Sequence, residues 1–247
     1  MGAFRITRDL FDIGLFSDNP AMPQFYEHEL GLPYVDVLQH SPTYQERFYE
    51  VNGASLKINY SIEPMQPGSS GYRGLLIARD DVATPQTVTD PDGLEITLVP
   101  RGAPGASTLG VRVAVADVDR QRDFLVDALD ATEDGEDLVV GSTRFLVERA
   151  TGATTPTPTW RRGINYVLIA VDDAAAAHDA LIAAGAVHGM RPIRLADRCV
   201  FSWVRDPNGN WVEIVQYAAD TGELPDIPRA DQLWPQITAW RVDGTPY

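Results

Sequence analysis

Of the 20 basic side chains in this 247-residue sequence, 19 are arginine and one is lysine, Lys57. Arginine keeps its proton in proteins, whereas a partly desolvated lysine can lose its own and serve as base, acid or carbonyl-trapping amine. A lone lysine in an arginine-rich chain therefore marks a candidate site. Its surroundings follow from Asn52-Gly53, which supplies the two positive-φ residues of a tight hairpin turn. With a two-residue turn Val51 pairs with Ala54, Glu50 lies opposite Ser55 and Phe48 opposite Lys57. Strand alternation puts Lys57 and Asn59 on one face and Leu56 and Ile58 on the other. Glu46, Phe48 and Glu50 share the Lys57 face. The set suits a planar or aromatic substrate beside a charged centre; a rim salt bridge from Glu46 is the plainer alternative. The alternating run FDIGLFS places Asp12, Gly14 and Phe16 on one face and Ile13 and Leu15 on the other. His40, between two strands, is either a rim group that binds substrate or shuttles a proton, or a surface-loop histidine.

The elements that must position these groups are marked by a hydrophobic period that switches between 2 and 3.6. Phe11 to Ser17 reads as a strand, the segment from Pro20 to Gly31 as a helix, and Tyr34 to Gln39, Arg47 to Val51 and Ala54 to Tyr60 as strands, a β-α-β-β-β unit. Strands at Tyr72 to Arg79 and Leu94 to Val99 flank an Asp-Pro turn. After the Gly/Pro/Ala-rich stretch Arg101 to Ser107 come a strand at Val111 to Ala116, a helix at Val118 to Leu129, and short strands near Leu138 to Val140 and Arg144 to Glu148. Beyond the Thr/Pro-rich stretch Thr151 to Thr159 follow a strand at Ile164 to Val171, a helix at Ala174 to Ala184, and strands at Val200 to Val204 and Trp211 to Gln216. Residues 219–247, with Trp234 and Trp240, read as a tail packed on the body.

The 35 acidic side chains give a net charge of −15, which argues against nucleic acid and anionic membrane as partners. With Cys199 the only cysteine, no intramolecular disulfide can form, and a reducing cytoplasm is the expected compartment. No apolar run approaches the roughly 18 residues of a membrane span.

Four segments align on the acidic residue that ends each leading strand: DIGLFSD from Asp12, GLLIARD from Gly74, VRVAVAD from Val111 and YVLIAVD from Tyr166. Two have a downstream partner, DPDGLEITLV from Asp90 and DPNGNWVEIV from Asp206. On these residues the sequence resembles the vicinal oxygen chelate superfamily, also called the glyoxalase/bleomycin-resistance/dioxygenase family. The resemblance implies an α+β fold of paired βαβββ modules forming two curved mixed sheets: an N-terminal domain over 1–102, a C-terminal domain over 103–218, and the tail. Asp80 to Thr89 is too short for a helix plus a strand, so the second module is degenerate. Its apolar face then needs a cover, for which the tail with Trp234 and Trp240 is the candidate.

Family enzymes hold a divalent metal with His on leading and Glu on closing strands. The positions this implies here are Asp12, Gly74, Lys57 and Thr97 in the first domain and Val111, Tyr166, Val147 and Glu213 in the second. None is His, and a single Glu is not a zinc or iron site, so the expectation is no tightly bound metal and no cofactor. The family module would also make the Asp12 and Lys57 strands antiparallel neighbours within ion-pair reach. Lys57 then either neutralises Asp12 in a vacated metal site, moves a proton, or forms a Schiff base. Tyr166 and Glu213 would line a second cup.

The reading is an isomerase or lyase acting on a small carbonyl or aromatic compound, with Asp12 and Lys57 as acid/base or electrostatic stabilisers and Glu46, Phe48, Glu50, Asn59, Thr97 and His40 binding substrate. Two alternatives stand: a glyoxalase or ring-cleaving dioxygenase with one divalent metal, using His40 with Asp12 or Glu213, and a non-catalytic drug- or metabolite-binding protein of the resistance type. A monomer or homodimer satisfies each.

Overall fold

The computed structural model describes residues 3–68, 70–103, 108–151 and 160–230 and the backbone of 240–241. The first module is β1 (Asp12–Ser17), α1 (Met22–Gln24) running into a π-helical turn (Phe25–Glu29), then β2 (Tyr34–Ser41), β3 (Tyr44–Val51) and β4 (Ala54–Ser61). After β5 (Gln66–Pro67) the degenerate module holds β6 (Tyr72–Arg79), β7 (Gln86–Thr89) and β8 (Glu95–Pro100). The third is β9 (Leu109–Val115), α2 (Val118–Leu129), β10 (Thr132–Asp134), β11 (Asp137–Val140) and β12 (Thr143–Arg149). The fourth is β13 (Arg161–Ala170), α3 (Ala174–Ala183), β14 (Val187–Leu195), β15 (Cys199–Arg205) and β16 (Trp211–Tyr217), followed by α4 (Ala218–Thr221) and β17 (Trp240–Arg241). Most of the two predicted linkers, and Trp234, lie outside the described residues.

The modules pair differently from the expectation. One curled sheet runs β14-β15-β16-β13-β1-β4-β3-β2-β17, uniting the first and fourth modules, and the other runs β10-β11-β12-β9-β6-β8-β7, uniting the second and third. The division near residue 102 therefore does not separate the sheets. A local fit accompanies the pairing of β1 with β13: Gly14 faces Tyr166 across the antiparallel ladder, and a Cβ on Gly14 would lie inside the Tyr166 ring. Sequence periodicity identifies modules but carries no such partner information.

The first module's helical segment and α2 each reach across to the neighbouring module's Asp-Pro turn. Tyr26 Oη donates to Asp90 Oδ2 at 2.9 Å, and Asn208 Nδ2 donates to Gln121 Oε1 of α2 at 2.9 Å. The repeated motif has a common cause. Asp90 accepts from the Asp92 and Leu94 N–H groups at 2.9 and 2.8 Å, and Asp206 accepts from those of Asn208 and Asn210 at 2.9 and 2.8 Å, satisfying the donors of each turn.

The apolar face of the degenerate module (Leu75, Ile77, Leu94, Ile96, Leu98) is buried in one continuous core with Ile13, Leu15, Leu56 and Ile58 of the first sheet and with Met22, Phe25 and Tyr26. Trp240 is not the cover expected of it, since β17 pairs with β2 at the edge of the other sheet, and Trp234 lies outside the described residues; the face shares its core with the first module's helical segment and sheet. No helix among the described residues is long and apolar enough to cross a membrane. Gly14→Ala is expected to cost about 1–3 kcal/mol by overpacking, measured by urea unfolding, and Tyr166→Ala in the same chain to recover part of that loss. Strictly additive losses would contradict the proposed fit.

Candidate functional site

The concave side of the first sheet encloses a cavity of about 600 Å³, within the usual range for small-molecule sites. Lys57 is positioned by β4, flanked by β3, where Phe48 lies opposite it, and by β1, where Gly14 is its parallel neighbour. The hairpin register read from Asn52-Gly53 holds throughout, Val51 to Ala54 and Glu50 to Ser55 included. Across the cup, β16 presents Trp211, Glu213, Val215 and Tyr217 to the same cavity. Lys57 Nζ lies 3.8 Å from Glu213 Oε2 and 5.7 Å above the Phe48 ring centre. At 3.8 Å the pair attracts without a hydrogen bond, and Oε2 is a buried oxygen with no hydrogen-bond partner.

Three carboxylates share this one amine. Burial acts to lower the Lys57 pKa, but it is outweighed by Tyr217, Glu213, Tyr166 and Glu46, which leave it well above its ordinary value. Because burial pushes the phenols of Tyr166 and Tyr217 up, the latter to about 12, the anions acting on Lys57 at neutral pH are carboxylates, Glu213 and Glu46 in the cup and Asp12 behind it. Burial also pushes Glu213 up, to about 7, against the opposing pull of Lys57. Glu46 goes the other way: its desolvation is overcome by Lys57 and by His40, and its pKa falls. His40 Nε2 sits 3.6 Å from Glu46 Oε2 and stacks on Tyr44 at 4.8 Å. The cup thus holds a fixed ammonium, a fixed carboxylate and a carboxyl that titrates near neutrality, a separation that assigns different tasks to like groups.

Of the expected site residues, Lys57, His40, Glu46, Phe48, Asn59, Tyr166 and Glu213 converge on this cavity. The separate second cup expected for Tyr166 and Glu213 is corrected, because β13 and β16 belong to the Lys57 sheet. The Asp12–Lys57 pairing is corrected as well. β1 and β4 run parallel with Gly14, not Asp12, beside Lys57, and Asp12 Oδ1 accepts from the Ser55 N–H at 2.8 Å. Asp12 is buried, with its pKa raised first by desolvation, and lies outside the cavity lining. Glu50 is exposed and caps the hairpin, accepting from the Gly53 N–H at 2.6 Å. Thr97 lies on β8 in the other sheet.

Sequence reasoning missed most of the wall. Tyr166 and Trp203 meet edge-to-face at 4.6 Å, Trp203 and Trp211 at 6.0 Å, and Phe16 and Trp160 at 5.4 Å; Arg198 and Cys199 also line the cavity. Alternation of Cys199, Phe201 and Trp203 on β15, and of Trp211 and Glu213 on β16, is the signal that would have revealed them. Burial pushes the Cys199 thiol up to about 12, which disfavours the reactive thiolate.

The four ligand-equivalent positions around this cup carry Asp12, Lys57, Tyr166 and Glu213. The Lys57 ammonium lies 3.8 Å from Glu213 Oε2 and would repel a cation held there, and among the described residues no three His, Cys, Asp or Glu side chains converge to hold one. This donor set does not fit the divalent metal that the resemblance implies.

A carboxyl whose pKa is about 7 in the folded chain against 4.5 ordinarily binds its proton more tightly when folded, so its contribution to stability falls as pH rises through that window. Glu213→Gln removes the titration. The variant is expected to gain on the native protein between about pH 4.5 and 7, by a few kcal/mol at most, in urea unfolding at fixed pH values. A difference independent of pH would contradict the assignment.

The sequence model of the Glyoxalase/Bleomycin resistance protein/Dioxygenase superfamily matches residues 108–214. No curated protein matches the sequence. Among solved structures, glyoxalase I from Zea mays is similar at 16% identity, covering 84% of this chain and 92% of that one with a TM-score of 0.67. A putative dioxygenase from Bacillus subtilis subsp. subtilis str. 168 is similar at 13% identity, covering 91% and 92% with a TM-score of 0.64. At these identities the likeness is one of fold. Residues 108–214 thus match the Glyoxalase/Bleomycin resistance protein/Dioxygenase superfamily, the vicinal oxygen chelate proteins, and along most of its length the chain shares the fold of these two solved structures.

Proposed function

We propose that this chain is an enzyme of isomerase or lyase type that enolises a small carbonyl compound in the Lys57 cup without a tightly bound metal. The observation that carries the reading is the buried Lys57–Glu213 pair, with Nζ and Oε2 3.8 Å apart and a carboxyl that titrates at about 7. Glu213 as carboxylate takes the proton α to the carbonyl, the electron pair moves onto the carbonyl oxygen, and Lys57 stabilises the oxyanion so formed. The protonated Glu213 then returns its proton to another carbon or to the leaving group. Lys57 does this as a fixed charge, which replaces the base and imine roles considered from sequence. Glu46, kept ionised by Lys57 and His40, holds the amine charged, and Asp12 orders the start of β4 through Ser55.

The aromatic wall also favours a second reading, a protein that sequesters a flat ligand without chemistry. The two separate in one experiment. Aryl α-hydroxyketones and arylpyruvates are incubated with the protein in deuterium oxide, and loss of the α-proton signal is followed by NMR. The enzyme reading expects exchange that Glu213→Gln slows by about 10²–10⁴-fold, that Lys57→Met also slows, that Lys57→Arg retains in part, and that chelators leave unchanged. Exchange untouched by Glu213→Gln, or abolished by chelation, would overturn it. Ligands that stabilise the fold and never exchange would favour sequestration.

A further inference from the structure

The ligand of the cup can be specified from its floor and walls. The floor offers an ammonium that is almost fully buried, since Lys57 is 6% exposed, and beside it Glu213 Oε2, a buried acceptor lacking any donor. Such an orphan costs free energy until something donates to it. A ligand hydroxyl placed between the two supplies that donor and leaves an anion for the ammonium. The walls are dominated by aromatic faces and edges, Tyr166, Trp203 and Trp211 from the fourth module and Phe16, Tyr44 and Trp160 from elsewhere, and these stack on flat π-systems. Sugars and other polyols would leave most hydroxyls without partners on such walls, and a cationic ligand would meet Lys57.

We propose that the cup binds a planar aromatic phenol or enol as its oxyanion, with the hydroxyl proton passed to Glu213 Oε2 and the resulting anion held against Lys57 Nζ. The O–H bond of the ligand breaks, an O–H bond forms on Glu213, and no other reagent is consumed. The inference rests on the roles given above to Lys57 and Glu213 but requires no turnover, so it can stand where the enolisation reading fails.

The test uses the full chain and 2-naphthol, a phenol that is still protonated in water at about pH 8, as the tyrosine side chain is. Absorbance beyond the protein's own band distinguishes naphthol from naphtholate. The bound probe is expected to show the anion spectrum, with at least a tenfold larger anion fraction than the free probe, about one pKa unit. Lys57→Arg keeps that spectrum, and Lys57→Met binds the probe in its neutral form. Calorimetry in buffers of differing ionisation enthalpy reports where the proton goes. At about pH 8, above the Glu213 pKa of about 7, the native protein exchanges almost none with buffer, whereas Glu213→Gln releases the phenol proton to it. A neutral spectrum for the probe bound to the native protein, failure to bind it, or an anion spectrum that persists in Lys57→Met would overturn the proposal. So would equal proton release by the native protein and Glu213→Gln. Should Lys57→Met fail to fold, loss of the anion spectrum in folded Lys57→Arg is the overturning result.

Discussion

A buried amine that keeps its charge, set in a cup walled largely by aromatic rings, governs the chemistry of this molecule. Lys57 has one positive charge to share among Glu46, Glu213 and Asp12, and desolvation makes each unshared negative charge costly. The outcome is unequal. Glu46, with His40 3.6 Å away, is stabilised as an anion. Glu213, whose Oε2 has no hydrogen bond, is left nearly balanced between its two forms. Asp12 draws on the Ser55 N–H. Lys57, together with the different local partners of each carboxylate, thereby sets three chemically similar groups apart as a counterion, a proton carrier and a structural brace.

The fold makes this possible by bringing together strands separated by more than 100 residues. β4 delivers the lysine and β16 the glutamate, joined through the antiparallel contact of β1 with β13. Gly14 is required there because Tyr166 occupies the space over its Cα, and that same tyrosine forms part of the cup wall. The other sheet, with the first module's helical segment and α2 reaching the Asp-Pro turns, backs the cup without contributing side chains to the cavity. Packing and site are thus linked at one residue pair.

Much of this was legible in the amino acids. Helix α2 spans the expected residues, β6 likewise, and the Asn52-Gly53 turn fixed the register that sets Phe48 against Lys57. Local signals of this kind are written in period and turn chemistry. The partnering of modules is not, because four similar leading strands can pair in several ways with the same hydrophobic pattern. That ambiguity misplaced Glu213 into a second cup and drew Asp12 toward Lys57. The aromatic wall was written in the alternation of β15 and β16, but apolar side chains facing a cavity and those facing a core have the same period, and only the sheet partner tells them apart. The charge state of Lys57 depended equally on distant neighbours, which sequence alone did not place.

Because the chain has one lysine, labelling with ¹⁵N-lysine gives a single side-chain nitrogen signal, that of Lys57, and its NMR titration reads the central claim directly. The account predicts an ammonium that stays protonated beyond the ordinary lysine value of 10.5, with a small inflection near 7 as Glu213 ionises beside it. An amine that loses its proton below that value, or one with no inflection near neutrality, would contradict it.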